Sequence, residues 1–188
     1  MAVMSQTDIS AQPLDIPQPG RYLISPEHSS AVIRTRHLFG LGAVRAALDL
    51  RDGRIWVSDP PEYSAVQVRF AVSTFQSGNA ARDAAVLSPR LLDAENFPTM
   101  TFISTELART QDAQGAPGPW ALRGEFEVRG VGRLVEARVT ALHADGATFR
   151  ASAQAVIDRY DFGITAYRGL AARSLTVDLT VVAKREES

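Results

Sequence analysis

Between residues 120 and 129 apolar and polar side chains alternate without a break. Trp120, Leu122, Gly124, Phe126 and Val128 fall on one side, and Ala121, Arg123, Glu125, Glu127 and Arg129 on the other. Successive side chains of an extended strand point to opposite faces, so this is a strand with one face buried. The alternation resumes after Gly130-Val131-Gly132, with Val135, Ala137, Val139 and Ala141 inward and Glu136, Arg138 and Thr140 outward. The glycines between the two runs supply a hairpin turn.

The same pattern predicts strands over residues 21–24, 30–37, 44–50, 55–58, 65–73, 100–107, 148–157 and 174–184. Asp52-Gly53, Pro60-Pro61, residues 114–119 and Asp145-Gly146 punctuate them as turns. About eight to ten short strands with almost no helix make an all-β, antiparallel sandwich or closed barrel. One segment departs from alternation. Residues 79–92 carry Ala80, Ala81, Ala84 and Ala85 between the turn at Ser77-Gly78-Asn79 and Pro98. They predict a short helix able to cap a barrel end.

A chain of 188 residues accommodates one such domain, and 45% apolar against 22% charged residues is an ordinary globular balance. Residues 1–19 are polar and punctuated by proline, which predicts a flexible arm preceding a domain over residues 20–188. The formal net charge is −1 and the arginines are dispersed, so nucleic acid is not an expected partner. No cysteine is present, which excludes disulfides, thiolate nucleophiles and zinc–thiolate sites. Residues 1–20 show neither a basic n-region nor an apolar h-region, and a cytoplasmic location is expected. No apolar run approaches the ~20 residues that cross a bilayer as a helix, so no integral membrane segment is expected.

An eight-stranded barrel is just wide enough to be plugged by its own side chains or to hold one small ligand. Phe149, Ala151, Ala153, Ala155 and Ile157 share one face of a strand, and Ala137 and Ala141 share another, which leaves volume unoccupied. The alternative is an interior filled by Trp120, Phe126, Phe149, Phe70 and Phe102. Chemistry is sparse. His28, His37 and His143 lack the close spacing of metal ligands. His37 ends a strand and could meet a polar ligand head at a barrel rim, or be satisfied by backbone. Arg82-Asp83 and Asp158-Arg159 could form ion pairs. No nucleophile elbow, phosphate loop or dinucleotide fingerprint is present, so neither an enzyme nor a resident cofactor is expected.

Four stretches, in order, are similar to the YceI-like family. They are Pro26-Glu27-His28-Ser29 with the strand ending in His37; Ser77-Gly78-Asn79 with Arg82-Asp83, leading through Leu91-Leu92-Asp93-Ala94 and Phe97-Pro98 into Thr101-Phe102; Gly124-Glu125-Phe126-Glu127-Val128-Arg129-Gly130-Val131; and Asp158-Arg159-Tyr160-Asp161-Phe162-Gly163-Ile164. Together they run from Tyr22 to about Lys184. The chain departs from the family pattern at Ala84-Ala85, where a histidine is usual after the Arg-Asp pair. It departs again at Ala46, where glycine is usual, and at Gly132-Arg133, where Thr-Lys is common. Many members are exported to the periplasm, an export signal not seen here.

The resemblance implies an elongated lipocalin-like barrel whose apolar tunnel encloses a polyisoprenoid or the tail of an isoprenoid quinone. At ~0.8 kcal/mol per buried CH₂, each five-carbon unit contributes roughly 3–4 kcal/mol gross, much of it offset by ordering a flexible tail. The ligand-binding residues it implies are Phe70, Phe102, Trp120, Phe126, Phe149 and Phe162, with His37, Arg82 and Asp83 at a mouth. Arg82, Asp83, Asp158 and Arg159 equally fit structural locks. Two other functions compete: an interaction protein with a side-chain-filled barrel, and an enzyme using His37 on an apolar substrate. A homodimer is expected by analogy with paired barrels alone.

Overall fold

The computed structural model describes residues 15–37, 42–111 and 115–187. Ten strands follow in sequence: β1 Gly20–Ile24, β2 Ser30–His37, β3 Gly42–Leu48, β4 Leu50–Val57, β5 Ala65–Ala71, β6 Thr99–Gln111, β7 Pro117–Val128, β8 Val131–Asp145, β9 Thr148–Asp158 and β10 Ser174–Arg185. One helix, α1 (Ala80–Leu87), lies between β5 and β6. Every pairing is antiparallel, in the order β1-β4-β5-β6-β7-β8-β9-β10-β2-β3, and β1 also pairs with β10.

That last pairing closes a barrel of eight staves, because four of the strands are halves of two bent ones. β1 lies along one half of β10, from Tyr22 opposite Arg185 to Ile24 opposite Ala183. β2 lies along the other half, from Ser30 opposite Thr180 to Arg34 opposite Thr176. Between them the 3₁₀ turn Pro26–His28 interrupts the ladder, where proline has no N–H to donate. β3 and β4 bend likewise at Asp49, whose N–H donates to Thr74 Oγ1 at 2.9 Å. Beyond the short β5 the wall is completed by residues 72–98. Gln76 bridges Ala47, and Val72 N–H donates to Pro98 O.

Three local expectations need correction. Asp52-Gly53 is not a turn; it sits inside β4, where a bulge shifts the register against β5 between Leu50 and Asp52. A Cβ on Gly53 would come within 2.6 Å of Ile24 Cδ1 and 2.7 Å of Gln67 O, so close approach rather than a reversal requires glycine there. The β7–β8 turn is Arg129-Gly130 alone, with φ of 53° and 72° and Val128 opposite Val131; Gly132 already lies in β8. In β8 the register against β9 shifts between Val139 and Ala141, and the extra residue brings Leu142 rather than Ala141 to the interior.

α1 is shorter than the segment 79–92. Asn79 Oδ1 accepts the Arg82 N–H at 2.9 Å as its N-cap. The helix stops at Ser88, because the residue before Pro89 is disfavoured in the helical region. The following turns are held by Leu92 N–H to Val86 O and Ala94 N–H to Leu87 O. One buried cluster lines the barrel, from Tyr22, Ile24 and Phe149 through Phe70 and Met100 to Phe162 and Ile164.

Residues 15–19, expected within the loose arm, are bonded to the barrel. Asp15 N–H donates to Leu142 O at 3.1 Å, and Gln18 O accepts the Tyr22 hydroxyl at 2.7 Å.

Candidate ligand-binding site

The inward faces of the staves do not meet. Among the described residues they leave a compartment of about 200 Å³ and another of about 510 Å³ between them. Phe70, Phe126, Ile157 and Val177 are walls of both. These shared residues form a waist, in which Phe126 makes edge-on contacts with Phe70 (centroids 6.2 Å apart) and with Phe162 (5.8 Å).

The narrower compartment is bounded by Phe102, Trp120, Leu122, Leu142 and Phe149, with Ala137, Ala151, Ala153 and Ala155 between the larger residues. Ser64 and Ser152 are its only polar lining residues among those described, and Ser64 Oγ already accepts the Ser58 N–H at 3.0 Å. The alanines follow from the alternation of β8 and β9, and their missing side-chain volume is the space observed.

The wider compartment lies between β2, β3, α1 and the loop 159–173. Its polar walls are Thr35, Arg82, Arg159 and Tyr167. Arg159 is only 6% exposed. Its Nε donates to Ala172 O (2.8 Å), Nη1 to Ile164 O (2.7 Å) and Ala166 O (2.8 Å), and Nη2 to Ala171 O (3.1 Å). No carboxylate lies within ion-pair distance of it among the described residues. Burial lowers its pKa from the usual arginine value, against the raising effect of Tyr160 and Asp158 and reinforced by Arg168. A guanidinium nonetheless stays charged. Its neighbour Asp158 serves elsewhere, accepting Tyr160 N–H at 2.9 Å and Arg173 Nε at 2.6 Å.

Arg82 and Asp83 do not pair with each other; they meet at Ser77. Arg82 Nε donates to Ser77 Oγ (2.7 Å) and Nη2 to Ser77 O (3.0 Å), while Asp83 Oδ1 accepts both the Ser77 N–H and hydroxyl. Arg82 also reaches the wall of the wider compartment, whereas Asp83 is not part of either wall. His37 ends β2 opposite Gly42, and its side chain lies outside the described residues. Of the anticipated aromatic residues, Phe102, Trp120 and Phe149 line the narrower compartment, Phe162 the wider, and Phe70 and Phe126 both.

Sequence reasoning passed over the walls supplied by Ile33, Val44, Ala46 and Leu48, which the alternation of β2 and β3 carries. It also missed Tyr167 and Leu170, exposed residues of an irregular loop that no periodicity marks. Among the described residues no cluster of three or more His, Asp or Glu is placed to hold a metal ion. No described helix is long and apolar enough to cross a membrane.

Closure into eight antiparallel staves around an apolar interior, with one short helix, defines a lipocalin-like barrel. Comparison with known proteins agrees. The YceI-like domain model matches residues 22–184, and the chain belongs to that family. Two UPF0312 proteins of Pseudomonas putida, from strains F1 and KT2440, are each 28% identical over 171 residues, spanning 85% of this chain and 83% of theirs. Burkholderia cenocepacia BcnA superposes with a TM-score of 0.70 at 16% identity, over 86% of this chain and 99% of BcnA. A polyisoprenoid binding domain from Saccharophagus degradans, implicated in plant cell wall breakdown, superposes with a TM-score of 0.65 at 12% identity, over 88% of this chain and 98% of that domain. At such identities the structural likeness establishes the fold.

Proposed function

We propose that this protein is a non-enzymatic carrier that encloses a long apolar molecule of isoprenoid type, a polyisoprenoid or an isoprenoid quinone, inside its barrel. The observation that carries the reading is the pair of apolar compartments that share Phe70, Phe126, Ile157 and Val177 as walls. Voids lined by apolar side chains cost stability through lost contacts, and an apolar guest restores them. The filled-barrel alternative needs the aromatics to plug the interior; the space remains with all of them in place. That one structural relative is described as a polyisoprenoid binding domain supports the chemical class.

The two compartments take different parts of the guest in this reading. A guanidinium has five N–H donors. Arg159 uses four of them and Arg82 two in hydrogen bonds within the protein. The remaining donors suit a polar head in the wider compartment, with the tail passing Phe126 into the narrower one. Phe70, Phe102, Trp120, Phe126, Phe149 and Phe162 contact the tail. Arg82 lies near the head together with His37, and Asp83 orients Arg82 through Ser77. A cytoplasmic location and a homodimer belong to the same proposal, tested by cell fractionation and by sedimentation.

Native mass spectrometry of the purified protein, followed by organic extraction, tests the central claim. A stoichiometric isoprenoid or quinone supports it. A clean protein that also fails to take up a long-chain prenyl alcohol from dilute detergent overturns it.

A further inference from the structure

One end of the narrower compartment is crossed by residues that precede the span of the family match. Ile16 and Pro17 line the narrower compartment together with Pro61, Leu107, Trp120 and Leu142. Leu107 and Leu142 lie late in β6 and β8 and Trp120 early in β7, so these residues mark a single end of the barrel. The segment spans that end from β8 to β1. Asp15 N–H is bonded to Leu142 O, and at the other side Arg185 holds the chain with Nη1 on Gln18 Oε1 (3.0 Å) and Nη2 on Pro19 O (2.7 Å). Pro17 is buried beneath it, while Ile16 keeps 44% of its surface exposed, one side toward solvent and the other toward the cavity. The family match covers residues 22–184, so the segment 15–19 and its anchor Arg185 both lie just outside it.

We propose that residues 15–19 act as a stopper that sets the longest tail the barrel accepts, with Ile16 and Pro17 as the specificity-determining residues. The stopper rests on the carrier reading and adds its length limit. A tail entering past the Phe126 waist runs along apolar walls until it meets these two side chains. Each further methylene beyond that point stays in water or buckles, and neither gains burial. Cutting the two side chains back extends the apolar track at its far end; enlarging one shortens it.

The test measures binding of a homologous series of all-trans prenyl alcohols, differing by one isoprene unit, to the full-length protein by native mass spectrometry. The double variant Ile16→Ala/Pro17→Ala is expected to raise the longest tail bound by about one isoprene unit, with affinity for that tail rising roughly tenfold. Ile16→Trp is expected to lower the limit by about the same step. Neither residue belongs to the buried core cluster, and circular dichroism confirms that each variant folds. Equal limits in the wild type and both variants overturn the stopper alone. Failure of the wild type to bind any member of the series overturns the carrier reading, and the stopper with it.

Discussion

Replacing Arg159 by leucine removes a guanidinium that donates to four backbone carbonyls, those of Ile164, Ala166, Ala171 and Ala172. These acceptors hold the loop that carries Phe162, Tyr167 and Leu170 into the wall of the wider compartment. Hydrogen bonds from a charged donor are worth about 1.5–3 kcal/mol each, which gives a ceiling of roughly 6–12 kcal/mol for four. Holding a buried guanidinium without a carboxylate partner costs several kcal/mol, and some of the released carbonyls regain water. The net loss for Arg159→Leu is therefore about 3–5 kcal/mol. Urea denaturation followed by tryptophan fluorescence measures it, and limited proteolysis of the native variant should cut first within residues 165–172. A loss below about 1 kcal/mol, with the loop still resistant, would refute the assignment of Arg159 as the loop's lock.

Three further outcomes follow from other parts of the molecule. Ala153→Phe places a ring in the space left by the β9 alanines, so prenyl alcohol binding should fall at least about tenfold while the melting temperature stays level or rises; unchanged binding would show that the narrower compartment does not hold the guest. Gly124→Ala brings a Cβ to 2.4 Å from Ile103 O and 2.6 Å from Phe102 Cζ, and should cost about 1–3 kcal/mol in the same urea assay. Burial by itself would raise the pKa of Asp178, but hydrogen bonds from Gln154 and Arg34 (2.8 Å each) and the charges of Arg34 and Arg45 outweigh it and leave the pKa lowered. A lowered folded pKa stabilises above the unfolded value, near ~3.9, and that stabilisation is lost as pH falls through the folded value. Asp178→Asn should accordingly be less stable than wild type at neutral pH, with the gap closing in an acid titration; a gap that stays constant to low pH would contradict the assignment.

The alternation of apolar and polar residues was enough to place most strands and to turn Phe126, Trp120 and the alanines 151, 153 and 155 inward, because period two is a local property of an extended chain. The capping helix was legible from Asn79 and the alanines for the same local reason. What sequence alone did not decide depends on neighbours distant in the chain. Whether Asp52-Gly53 turns or bulges is set by the approach of Ile24 and Gln67, and whether Ala141 or Leu142 faces inward is set by the register of β8 on β9. Eight staves arise from ten strands because β1 and β2 share β10 and β3 and β4 in turn lie along β2 and β1, long-range pairings with no signature in any of these segments. The same holds for charge. Arg82 and Asp83, adjacent in sequence, point to a common serine rather than to each other, and Arg159 finds carbonyls rather than its neighbour Asp158. Local pattern determines which way a side chain faces; only the closed barrel determines what it meets there, since contact depends on how distant segments are brought together.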